Sequence, residues 1–198
     1  MRWLHALLAM AMNAVPIVGV LAYGWSVPTI LVLFWVETLA ITALHCVRIA
    51  LHRRLSRAPG RPRPLLAGYA LLAGIFSLAQ GVFVLILAFS AIPREAPADP
   101  AAQFHLAQFA AGAWAMLGLV VADLLLDLVA IRDRDEAWIR RETARREGRV
   151  LLTQFAILGG AFAIVKTQAP VSVLLVLLGL KAVSECLAAL APPRPPPR

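Results

Sequence analysis

Eight polar or ionisable residues interrupt otherwise apolar stretches of the chain: Asn13, Glu37, His45, Arg48, Asp123, Asp127, Lys181 and Glu185. Inside a bilayer such groups are costly and must pair with one another or serve a pathway. Asp123 and Asp127 stand four apart, as do Lys181 and Glu185, so on a helix each pair projects from one face. At 1.5 Å per residue, Asp123 and Lys181 fall about 12–14 Å from the same end of their spans, and Asp127 and Glu185 about 6–8 Å. His45 and Arg48 reach the same third. The matched depths predict one polar cluster, with Lys181 on Asp123, and Asp127 and Glu185 on Arg48 or His45. Asn13 and Glu37 also fall at similar depth, about 14–16 Å from the turn between their spans. An Asn–Glu hydrogen bond pinning that hairpin is expected, and a titrating carboxylate in a conduction or binding path is the alternative.

Two aspartates, a glutamate and a histidine are plausible ligands for a divalent metal. No Glu-x-x-His or His-x-x-x-His spacing supports one, and neither metal nor cofactor is expected. Ser184 beside Glu185 has no positioned base, and neither Cys46 nor Cys186 sits in an activating motif. No glycine-rich phosphate loop is present. No catalytic residue is assigned.

The rest of the sequence is what must position these groups. Of 198 residues, 61% are hydrophobic, against about 45–50% in a soluble domain. Apolar runs predict an all-α bundle of six membrane spans near 4–23, 28–49, 65–92, 104–131, 150–165 and 171–190, forming a single domain over 1–190. Pro16 is expected to kink span 1, and Pro28 suits the first turn of span 2. The opening run is longer than the ~7–15 apolar residues of a signal peptide, so span 1 is read as retained. Residues 191–198 form a Pro/Arg-rich tail expected to be disordered.

The net charge of +8 is unevenly placed. The 52–64 loop has five arginines and no acid, and the 132–149 segment has seven arginines and five acids. Only Arg94 and Lys166 fall on the opposite side. This bias places both termini in the cytoplasm, and the chain in the cell's inner membrane. Basic residues between apolar runs need no nucleic acid, and none is expected as a partner; the lipid bilayer is. The 132–149 segment reads as a solvated helix, with Glu136–Arg140 and Glu142–Arg146 as i,i+4 pairs and Trp138 and Ile139 at the interface. On a reducing face the two cysteines form no disulfide and act as small buried filler. Trp3, Tyr23 and Trp25 are expected to mark the two interfaces, while Trp35, about 15 Å deeper than Trp25, faces a helix neighbour.

The first hairpin resembles a family of uncharacterised multi-pass membrane proteins, domain of unknown function 6498. The pattern resides in Asn13, Pro16, Gly19, Val20, Gly24 and Trp25, then Phe34, Trp35 and Glu37. It continues in Gly74-Ile75-Phe76, Gly81-Val82-Phe83, Arg149, Ile157, Gly160, and Lys181 with Glu185 four on. The chain departs from the pattern at Thr38, where the family has Asn, and at Leu72, Gln80 and Gln154, where it has His. Glutamine still hydrogen-bonds, but it neither shuttles protons nor ligates metal as imidazole does. The resemblance implies architecture and brings no activity.

Three readings of function follow. The leading one is a structural or accessory subunit packing against other membrane subunits or itself. The alternative is a small proton, cation or solute carrier using Glu37 and the inner cluster. The third is an intramembrane enzyme acting on lipid.

Overall fold

The computed structural model describes residues 2–56, 63–86, 104–148, 150–151, 175–176 and 178–183. The protein is all-helical, with no strand among the described residues. α1 spans Arg2–Tyr23, α2 Val27–Leu55, α3 Arg63–Ile86 and α4 Leu106–Ala130, followed by a short 3-10 turn at Ile131–Asp133. A further helix, α5, covers 136–148, and residues 178–183 around Lys181 are also helical. Among the described residues, four helices are long and apolar enough to cross a membrane: Trp3–Tyr23, Val27–Leu55, Leu65–Ile86 and Leu106–Val129. The expected span at 150–165, apart from its first two residues, lies outside the described residues, as do 87–92 of the third span, Glu185, Cys186 and the tail.

α1 ends at Gly24, whose φ of 59° is a left-handed conformation that suits glycine. The chain then doubles back, and the Trp25 N–H donates to the Gly19 carbonyl at 2.9 Å. Ser26 caps α2, its hydroxyl accepting from the Thr29 N–H at 3.4 Å, with Pro28 in the first turn. The start of α4 is tied to this turn: the His105 N–H donates to Thr29 Oγ1 at 3.1 Å, and the Ser26 N–H donates to Gln108 Oε1 at 3.3 Å.

α2 runs six residues beyond the expected end at Ile49. His52, Arg53 and Arg54 fill its last turn, where positive charge complements the helix dipole. The extension brings His52 Nε2 and Ser56 Oγ to the Arg134 carbonyl at 3.0 and 3.1 Å. Among the described helices, α2 packs on α3 and α4, whereas α1 packs on α4. The two legs of the first hairpin are therefore not each other's chief neighbours.

Two tryptophans set helix separations. Trp35 faces α3, its indole N–H donating to the Ser77 carbonyl at 2.9 Å. A Cβ on Gly81 would stand 2.6 Å from that ring, so the closeness of α2 and α3 depends on this glycine. Trp25, in the turn between α1 and α2, is partly buried, its ring lying against Gly19 of α1 and Gly112 of α4. Trp3 and Tyr23 stand exposed near opposite ends of α1.

Candidate functional site

The residues of the hairpin motif converge on one amine. Lys181 Nζ donates to Glu37 Oε1 at 2.9 Å and Oε2 at 3.3 Å, and to Asn13 Oδ1 at 3.2 Å. It also lies 5.3 Å from the centre of the Phe34 ring, a cation–π distance. Asn13 is oriented by its own helix, its amide donating to the Ala9 carbonyl at 2.8 Å. Thr38 donates to the Phe34 carbonyl at 2.9 Å. Asn13, Glu37 and Lys181 are all buried. The shared depth of Asn13 and Glu37 was legible; the lysine standing between them was not.

This corrects the expected pairing of Lys181 with Asp123. Equal depth along a helix axis leaves the azimuth open, and at its azimuth Asp123 meets other cations. Its Oδ2 accepts from Arg48 Nη2 at 3.1 Å and Arg146 Nη2 at 2.9 Å, while Oδ1 lies 2.8 Å from His5 Nδ1. Asp127 binds the same Arg48 Nη2 at 2.8 Å and lies 3.4 Å from His5 Nε2. Both His5 nitrogens thus face carboxylate oxygens, and only the doubly protonated ring donates from both. Arg48 satisfies Asp127 as the depth argument anticipated, and Glu185 lies outside the described residues.

His45 does not join the acids. Thr143 Oγ1 donates to the Ile139 carbonyl at 2.8 Å, so its remaining bond at 3.0 Å is received from His45 Nε2. Arg48 Nη1 is directed at the other nitrogen, Nδ1, at 3.5 Å. That arrangement fits the neutral ring protonated on Nε2. The ring also meets Tyr69 edge-on, with centroids 4.7 Å apart.

Helix α5 supplies the partners that the sequence reading missed. Both anticipated i,i+4 pairs form, Arg140 Nε with Glu136 at 2.9 Å and Arg146 Nε with Glu142 at 2.8 Å. The helix is not solvated all round, however. Ile139, Thr143, Arg146 and Val150 are buried, and their spacing of four, three and four is one helical stripe. That stripe was the available signal. Ile139 packs with Ile49, Tyr69 and Ala73, and Cys46 and Trp138 adjoin them. Burial lowers the Arg146 guanidinium pKa, but Glu142 and Asp123 more than reverse this, leaving it raised and the group charged. His5 offered no such signal, being one histidine near the start of an apolar run.

Two ionic centres result. One is the Asn13–Glu37–Lys181 node, and the other is the six-residue cluster of His5, Arg48, Asp123, Asp127, Glu142 and Arg146. Among the described residues no three His, Cys, Asp or Glu side chains are grouped to hold a metal ion. In the larger cluster Arg48 and Arg146 occupy Asp123 Oδ2, Asp127 Oδ2 and Glu142 Oε1, and His5 faces the Oδ1 atoms of both aspartates.

Over residues 1–197 the chain matches a family of unknown function, DUF6498. It belongs to that family. No curated protein and no solved structure matches the chain. For this DUF6498 member the pattern acquires physical meaning: Gly19 seats Trp25, Gly81 of α3 seats Trp35, Gly24 takes a positive φ, and Asn13, Phe34 and Glu37 of the hairpin surround Lys181.

Proposed function

We propose that this membrane protein is a structural or accessory subunit, a helical bundle that packs in the bilayer against other subunits or a second copy of itself. The observation that carries the reading is the Lys181 node. A carrier's carboxylate must exchange its partner in every cycle. Glu37 instead meets a lysine of the same chain through both oxygens, and that lysine is further held by Asn13 and Phe34. The six-residue cluster is likewise built of opposed charges. Meanwhile α3 turns Leu71, Leu72, Ile75, Leu78, Val82, Leu85 and Ile86 outward, a face for lipid or a neighbouring helix.

The arginine distribution supports an inner-membrane location with both termini in the cytoplasm. Native mass spectrometry of the protein extracted in mild detergent tests the subunit reading. A homo-oligomer or a stoichiometric partner is expected, and a strictly monomeric, partner-free species contradicts it. The carrier reading has one observation in its favour, the buried polar face of α2 between Glu37 and His52.

A further inference from the structure

α2 buries Glu37, Thr38, Thr42, His45, Arg48 and His52. From Thr38 on, successive steps of three to four residues, with Glu37 beside Thr38, keep them toward one side of the helix, running about 22 Å along it from the Lys181 node towards its Leu55 end. Most of the polar atoms on this face have partners in the chain. Glu37 has Lys181, Thr38 has the Phe34 carbonyl, His45 has Thr143 and His52 has the Arg134 carbonyl.

The middle of the stripe differs. Thr42 Oγ1, Tyr69 Oη and Arg48 Nε are buried and have no protein hydrogen-bond partner. Their residues are 8%, 1% and 2% exposed. The Tyr69 phenol approaches the Thr42 hydroxyl across the α2–α3 contact closely enough to interact with it, though neither atom has a well-formed hydrogen bond. Each such group left dry costs about 1–3 kcal/mol, and concentrating three of them on one stretch makes a dry interior expensive. Buried groups of this kind are ordinarily satisfied by internal water, which takes two to four polar partners.

We propose that water occupies the α2–α3 contact around Thr42 and Tyr69, and that the hydrated stripe is an access path for protons and small hydrated cations from the Leu55 end of the bundle to the Glu37–Lys181 pair. Non-lipid polar surface at membrane depth is tolerated where it lines such a path. The path ends at Lys181, so it is a half-channel rather than a pore. It goes beyond the subunit reading and does not depend on the oligomeric state.

Silver-ion reactivity of single cysteines tests it. In a Cys46→Ser, Cys186→Ser background reconstituted into liposomes, Thr42→Cys is compared with Leu39→Cys, which lies one turn away and is exposed on the outside of the bundle. The expected result is modification of Thr42→Cys at least tenfold faster than Leu39→Cys, with Ile30→Cys, fully buried in the apolar cluster at the opposite end of α2, unreactive. Equal or slower reaction at Thr42→Cys, or equal reaction at Ile30→Cys, overturns the proposal. Should Thr42→Cys fail to fold, thermal stability of Thr42→Val and Tyr69→Phe decides. Removing a hydroxyl that binds water lowers stability, whereas removing a dry, unpartnered one leaves it unchanged or raises it, and the latter result overturns the path.

Discussion

Arg146 Nη2 reaches Asp123 Oδ2 at 2.9 Å, joining two residues that stand 23 apart in sequence. This bond turns a charged, apparently solvent-loving segment into part of the bundle. It fastens α5 to α4 and places Ile139 and Thr143 against α2 and α3.

Arg146→Gln is therefore expected to release α5. Asp123 keeps Arg48 and His5, but Glu142 loses its 2.8 Å bond to Arg146 Nε, so the loss should be about 3–5 kcal/mol, the cost of removing one partner from buried ion pairs. Limited trypsinolysis reports it, because the exposed Arg140, Arg141 and Arg145 become cleavable once the helix detaches. Arg140→Gln breaks only the exposed pair with Glu136 and should change stability by no more than about 0–1 kcal/mol. Equal protease resistance in Arg146→Gln and the parent would show that α5 is held by its apolar stripe alone.

Gly81→Ala should destabilise the protein by about 1–3 kcal/mol, the usual range for overpacking, since the added methyl would meet the Trp35 indole at 2.6 Å. Combining it with Trp35→Ala should relieve the clash, so that the pair costs less than the sum of the single changes. Thermal unfolding in detergent measures both. Additive losses would mean that α3 simply shifts aside.

The arginine-rich segments should share one side of the membrane. Single cysteines placed in 53–63 and in 132–149 should be labelled from the cytoplasm, and those in 93–103 from the opposite face. An impermeant thiol reagent applied to intact cells and to inverted vesicles distinguishes the two. The reverse pattern would refute the orientation.

The sequence was most informative along helix axes. Hydropathy located four long apolar helices, and the length of span 2 placed Trp35 deep enough to need a helix neighbour, which α3 provides. Asn13 and Glu37 share a depth for the same reason. What depth cannot supply is azimuth and neighbour order. Lys181 and Asp123 match in depth, yet Lys181 belongs to Glu37 and Asn13, while Asp123 faces Arg48, Arg146 and His5. Neighbour order misled at the hairpin as well, because α1 settles on α4. The buried stripe of α5 was legible in the spacing of Ile139, Thr143, Arg146 and Val150, but the density of arginines around it argued for solvent. Trp25 has an interfacial residue type and a position at a helix end, and the facing Gly19 and Gly112 add that its partly buried ring packs between α1 and α4.

Whether Lys181 and Glu37 act as a structural pair is tested most directly by a double-mutant cycle on thermal stability in detergent. Lys181→Met leaves a carboxylate buried without its cation, and Glu37→Gln leaves the ammonium without its anion. Each single change should cost about 3–5 kcal/mol. The double variant replaces both charges and should recover much of that loss, so its cost falls well below the sum of the two. Losses that simply add would show that the two residues are not coupled. Single and double variants all as stable as the parent would contradict the structural role itself.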